Sequence, residues 1–345
     1  MRRRTLILIS AFAAAAIVGG CSGGSTDDEV VLLTHESFAL SEGTLEAFTE
    51  QTGVTVIVRA AGDAGSMVNQ AILTRDNPIA DVLYGIDNTF ISRALAEGIF
   101  LPHEAASIGT VPTSLHVEGN PVTPIDFGDV CVNYDIDALI ERGVEPPSIL
   151  ADLTDPVYRD LLVVQNPATS SPGLAFLFAT IATFPEDAAY DWRDYWTDLF
   201  ANGVAVVSDW TQAYSTEFTM AGGDRPLVVS YASSPPFEVL YGELTEAPTG
   251  VMTDGCFRQV EYAGVLAGTD NEDAARRLVD FLLSIPVQED IPLNMFVYPA
   301  NSQAALPPVL TEFSVLPDDP VSIDPALIEA NRERWIEEWT TIARS

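Results

Sequence analysis

Short apolar runs rich in Val, Leu and Ile alternate with helical patterns along most of this chain, and that alternation narrows the folds open to it. Residues 30–34 (VVLLT), 54–59 (VTVIVR) and 80–85 (ADVLYG) read as strands buried on both faces. Between and after them, residues 43–52, 66–74 and 89–97 read as helices, the first and third ended by Gly53 and Gly98. Strand–helix–strand units with short connections build a parallel sheet covered by helices on both sides, with ligand sites at the loops beyond the carboxyl ends of the strands.

The same style returns further on. Strands are expected at 130–134, 161–165, 227–231 and 257–266, and helices at 173–184, 189–201 and 273–284. Trp192, Tyr195, Trp196 and Phe200 recur at helical spacing, which is core packing. A last helix, 325–344, carries Ile328, Trp335, Ile336, Trp339 and Ile342 on one stripe. About 320 residues beyond the leader exceed one ordinary core, so two α/β lobes are expected. Lobe I is discontinuous, residues 29–127 plus 259–345, and lobe II runs from 128 to 258. Two strands cross between them as a hinge, and a cleft of that kind closes on a ligand.

The amino-terminal stretch reads as an export signal, residues 1–20: Arg2, Arg3 and Arg4, then an apolar run, then small residues leading to Cys21. A cysteine at that point resembles a bacterial lipobox, which implies a lipid on Cys21 and tethering to the outer face of a membrane. Residues 21–28 then serve as a flexible linker. The chain has no lysine, and its 16 basic residues are all Arg. Without the three leader arginines, 13 Arg minus 50 acidic residues leaves a charge of −37. Such a surface repels nucleic acid and anionic lipid. In an exported protein the remaining cysteines, Cys131 and Cys256, both placed at the hinge, are expected to pair.

No GxSxG, P-loop, HExxH or GxGxxG after a strand occurs, and the three histidines, His35, His103 and His116, are scattered. No catalytic residue, metal site or cofactor is therefore expected. The polar loops instead converge on the cleft. His35 follows the first strand, and Asp63 sits in a Gly-flanked loop after the second, where it also suits a helix cap. Residues 165–174 (QNPATSSPGL) place Ser170 before a helix start that can hold a hydroxyl or phosphate. Residues 206–241 space Trp210, Tyr214, Tyr231 and Phe237 among hydroxylated residues, offering aromatic faces to a flat, partly polar molecule.

Taken in order, THESF (34–38), GDAGSMVNQ (62–70), ADVLYGIDN (80–88), FGDVCVNYD (127–135), NPATSSPGL (166–174), DWTQAY (209–214), VVSYASSPPF (228–237), QVEYAG (259–264) and IPLNMFVYPAN (291–301) resemble the thiamine-binding proteins of bacterial ABC importers. The resemblance covers nearly the whole exported chain. It implies a two-lobed periplasmic-binding-protein fold of type II, a monomeric receptor outside the cell membrane, and permease subunits as partners. It places Trp210 and Tyr231 on pocket positions, Phe237 where relatives carry Tyr, Phe296 where they carry Trp, Asp63 on an acidic position and Ser170 on a hydroxyl position. His35 stands in place of a Tyr and Glu42 in place of a Trp. Tyr214 falls back to a supporting role. Thiamine, a permanent cation, suits aromatic faces; Asp63 would accept from its amine, and its hydroxyethyl end or a phosphate would point to Ser170. Alternative readings on the same fold are a ferric-iron or polyamine receptor, or a thiamine-degrading enzyme needing a cysteine nucleophile in the cleft.

Overall fold

The expected strands all join one sheet. A computed structural model describes residues 29–345; the leader, Cys21 and the linker lie outside the described residues. The first half contains β1 (Glu29–Thr34), α1 (Thr44–Thr52), β2 (Thr55–Ala60), α2 (Ala64–Leu73), β3 (Val82–Asp87), α3 (Ile91–Ala96) and the short β4 (Phe100–Leu101). The chain then runs through β5 (Thr123–Asp135) into the second half, with α4 (Ile136–Arg142), β6 (Leu162–Gln165), α5 (Ser171–Thr183), α6 (Trp192–Ala201), β7 (Ala205–Val207), α7 (Trp210–Gln212), β8 (Leu227–Tyr231) and α8 (Pro235–Tyr241). It returns through β9 (Thr249–Leu266) to α9 (Glu272–Leu282), α10 (Ile285–Asn294) and β10 (Tyr298–Pro299), and closes with α11 (Pro308–Phe313) and α12 (Pro325–Ala343).

The strand order is β2-β1-β3-β9-β5-β8-β6-β7, with β10 on β5 and β4 on β9. β1 pairs in parallel with β2 and β3, and β6 in parallel with β7 and β8. The two long strands β5 and β9 are antiparallel and carry the chain between these parallel sets. The sequence shows only the carboxyl-terminal part of β5 and the last ten residues of β9. The earlier part of β5 is buried but carries Pro124, Asp126 and Gly128, and that of β9 is partly exposed, so neither reads as a strand run.

At the crossing the register jumps from Val130↔Phe257 to Val132↔Met252, so that residues 253–256 bulge out of the ladder. Cys131 and Cys256 form a disulfide there, with Cα atoms 4.4 Å apart. The bridge closes a loop of 125 residues, and in the chain-entropy model such a constraint stabilises by about 4 kcal/mol.

α5 is apolar all round and buried from Ser171 to Ile181, because it lies between the sheet and α6. Trp196 packs edge-on to Phe176 at 5.7 Å and to Trp339 of α12 at 5.4 Å, and Trp335 packs edge-on to Phe178 at 5.6 Å. The carboxyl-terminal segment, expected in lobe I, touches both halves. α11 packs on α8, and Val315 and Val321 donate backbone bonds to Ala232 and Cys256. α12 then lies on α6 while its Arg332 guanidinium covers the Phe90 ring beside α3. The tryptophan stripe finds its largest apolar partner on the aromatic helix of the second half, and that decides where it docks.

Candidate functional site

Between the halves lies a cavity of about 320 Å³. Its walls come from the loop after β1, the start of α2, the crossing strands, the start of α5, α7 with the turn after it, α8, and the segment after α10. Six of the seven expected ligand residues line it: His35, Asp63, Trp210, Tyr231, Phe237 and Phe296. Ser170 does not. It is fully buried behind the wall, and Ser171 faces the cavity in its place. Glu42 is exposed and stands outside the cavity.

The aromatic wall is built locally. Asp209 caps α7 by accepting from Gln212 N, and the chain then widens into a π turn over Ala213–Glu217. Trp210 and Tyr214 end up stacked, centroids 5.0 Å apart and nearly parallel. Both line the cavity, so Tyr214 belongs to the wall itself and not only to its support. Trp210 Nε1 donates to Ser230 Oγ at 3.0 Å, and Tyr214 Oη donates to Glu238 Oε1 at 2.9 Å. Phe237 meets Tyr214 on one side and, edge-on at 5.2 Å, Phe296 from the first half on the other. Phe296 has φ +54°, a left-handed conformation that costs a side-chain-bearing residue about 1–2 kcal/mol. Packing against Phe237 and Tyr241 holds that conformation and sets the ring in the wall.

The opposite end is polar. Glu261 of β9 pairs in register with Asp87 of β3 on one side and Asp126 of β5 on the other, so three carboxyl groups lie in a row across the sheet. His35 Nε2 stands 3.5 Å from Glu261. Gly85, at φ +93°, leaves the room for this ring, since a Cβ there would stand 2.2 Å from His35 Cδ2. Burial pushes the His35 imidazole down, but Glu261, Asp63 and Asp87 outweigh it and hold its pKa above the ordinary value. Burial raises Asp87 to about 7, with Glu261 adding to the effect and the Thr89 hydrogen bond opposing it. Burial and then Glu261 raise Asp126 well above the carboxylate range, against a hydrogen bond from Tyr84. Tyr231 donates to Gln259 Oε1 at 3.1 Å, and Gln259 Nε2 donates to Ser171 Oγ at 3.0 Å, closing the floor of the site.

Asp63 does two jobs at once. It caps α2, accepting from Ala64 N at 2.6 Å, and it accepts from Trp210 N at 3.1 Å across the cleft. Burial raises its pKa, opposed by these bonds and by Ser170 beside it. Ser37 Oγ and Thr211 Oγ1 meet 3.4 Å apart at the mouth. The two halves are therefore drawn together over the cavity.

Among the wall residues the sequence analysis missed are Asp126, Gln259 and Glu261. A signal existed: Asp126 and Glu261 are lone acids inside apolar strand runs (TPIDFG and QVEYAG), where an unpaired charge is costly.

A two-lobed α/β fold with a ligand-sized, largely aromatic cavity at the crossing strands defines the class of extracytoplasmic solute-binding proteins. The chain belongs to the bacterial extracellular solute-binding protein family, whose model matches residues 77–317. It is 27% identical over 314 residues to the thiamine-binding periplasmic protein of Escherichia coli K12, covering 89% of this chain and 90% of that one. A solved periplasmic thiamin binding protein superposes with a TM-score of 0.80 at 25% identity, covering 93% of this chain and 98% of that one. Iron-bound HitA from Pseudomonas aeruginosa shares the fold at 20% identity and a TM-score of 0.73, over 91% of this chain and 99% of that one. Among the described residues no helix is long and apolar enough to cross a membrane.

Proposed function

We propose that this chain is the solute receptor of an ABC importer for thiamine, closing its two lobes over the vitamin and presenting it to the permease without altering it. The observation that carries this reading is the cavity itself: stacked and edge-packed aromatic rings on one side, buried carboxyl groups on the other. A thiazolium cation gains about 2 kcal/mol from a desolvated aromatic face, and an aminopyrimidine needs acceptors for its amine. The similarity to thiamine-binding periplasmic proteins at 25–27% identity over most of the chain supports the same ligand. Both of Cys131 and Cys256 are held in the disulfide, away from the cavity walls, which favours a receptor over a thiol-based thiamine-degrading enzyme. A lipid on Cys21, monomeric action, and hinges near residues 128 and 258 complete the reading.

Calorimetry of the purified chain against thiamine, spermidine and ferric citrate tests it. Saturable one-to-one binding of thiamine alone is expected, with a change in tryptophan fluorescence as the ligand meets Trp210. Silence towards every thiamine form would overturn the proposal.

A further inference from the structure

α12 is fastened to the second half of the molecule along the part that carries its tryptophans. Trp335 and Trp339 pack on Phe178, Trp196 and Phe200. Arg334 pairs with Glu186 at 2.8 Å and with Glu338 at 2.9 Å, and Glu338 pairs in turn with Arg193 of α6 at 3.2 Å. Trp335 Nε1 donates to Glu186 Oε1 at 3.2 Å. One side chain reaches the other way. The Arg332 guanidinium lies 5.7 Å over the ring of Phe90, the residue that opens α3 in the first half.

Phe90 stands where the halves meet. A Cβ on Gly65 of α2 would come within 2.9 Å of its ring and within 2.8 Å of the Thr169 carbonyl oxygen in the second half. Neither Phe90 nor Arg332 belongs to the cavity walls. The contact therefore joins the lobes at a seam outside the site.

Arg332 is poorly provided for there. It is 4% exposed, yet its hydrogen-bond partner is a single carboxylate oxygen, Glu333 Oε1 at 2.8 Å, on a side chain 72% exposed. Its Nε and Nη1 are buried with no partner among the described residues. Burial lowers its pKa; Glu333 opposes this, and Arg93 of α3 adds to it. A cation so placed loses more on leaving water than one aromatic face and one solvent-screened carboxylate give back. Parting of the halves would return the guanidinium to water and leave the tryptophan contacts of α12 intact.

We propose that Arg332 is a positioning residue between the lobes that opposes their closure, holding back a share of open molecules so that a captured solute is released readily. This rests on the receptor reading above only in that the lobes close on a solute. A residue that disfavours the closed form lowers the apparent affinity of any ligand that needs it, without touching that ligand.

The test compares the purified chain with Arg332→Met, whose unbranched apolar side chain can rest on Phe90 without the charge. Calorimetry should show thiamine bound about threefold to tenfold more tightly by the variant. Small-angle X-ray scattering of the unliganded chains should give the variant the smaller radius of gyration. An unchanged affinity or an unchanged radius of gyration in a folded variant overturns the inference, even where urea titration finds the variant more stable, because a merely structural role would move stability alone. Thiamine binding by neither chain would overturn the thiamine reading, and the scattering comparison would still decide this one. Glu333→Gln, at an exposed position, is a second lever. With its carboxylate partner gone the buried cation is held less well, so thiamine affinity should fall about threefold, and an unchanged or higher affinity counts against the inference.

Discussion

The aromatic wall and the acidic row face each other across one cavity, yet they stand in opposite energetic conditions. The wall is complete without a ligand. Trp210 stacks on Tyr214, the indole N–H and the phenol O–H both have partners, and Phe237 is edge-packed on Phe296. The row is incomplete: three carboxyl groups in register, with acceptor oxygens of Asp87 and Asp126 left open. The wall is therefore preorganised surface whose contribution to binding comes from area and cation–π attraction. The row is relieved by protons instead, since burial raises Asp87 to about 7 and Asp126 well above the carboxylate range. Buried carboxyl groups with raised pKa values gather at sites of this kind.

Three substitutions press on that contrast. Trp210→Ala should have the largest effect, weakening thiamine binding by roughly 30- to 100-fold, because a centrally placed ring loses stacking and cation–π contact together. Titration calorimetry measures it, and a loss no larger than that of Phe237→Ala would show that this ring is not the centre of the wall.

The second concerns the row in the unliganded protein. The pKa of Asp87 is about 7 when folded, above its ordinary value, so the folded state holds a proton that the unfolded chain gives up at lower pH. Its contribution is fully present below the ordinary carboxylate range and is lost as pH rises towards 7. Stability of the unliganded chain should fall by a few kcal/mol between about pH 4 and 7 from this group alone, opposing the usual trend for paired carboxylates. Asp87→Asn should flatten that slope in urea titrations, and an unaltered slope would mean that the row is not under the stated strain.

Phe237→Ala should be the smallest, a loss of about threefold, because 37% of the residue is exposed and its ring forms the edge of the wall. A loss as large as that of Trp210→Ala would show that the wall acts as one body.

Much of this was legible in the chain. The strand at Leu227–Tyr231 falls where its β-rich run places it, and β1, β2, β3 and β6 lie within about two residues of their expected positions, while β5 and β9 begin well before theirs. His35, Asp63, Trp210 and Tyr231 meet at the cavity because loops following parallel strands converge on one edge of the sheet. Ser170 was misplaced by a single residue: a cap position and the position after it read alike until the neighbouring helix shows which of them is covered. Tyr214 was underrated because the π turn that brings it level with Trp210 has no signature in the side chains.

By itself, then, the order of residues determined the α/β class, the parallel strand–helix units, the loops that bear ligand groups and the two cysteines able to pair. Each depends on periodicity or local turn chemistry, which a chain carries in consecutive residues. The tertiary structure alone decided that Asp87, Glu261 and Asp126 stand side by side, and that Phe296 meets Phe237 across the cleft. It alone decided that α12 docks on α6. Register between strands 135 residues apart, and the partner chosen by an apolar stripe, follow from how the whole sheet closes. That closure sets carboxyl groups from three strands against aromatic rings from both halves, and the cavity's chemistry exists only in their meeting.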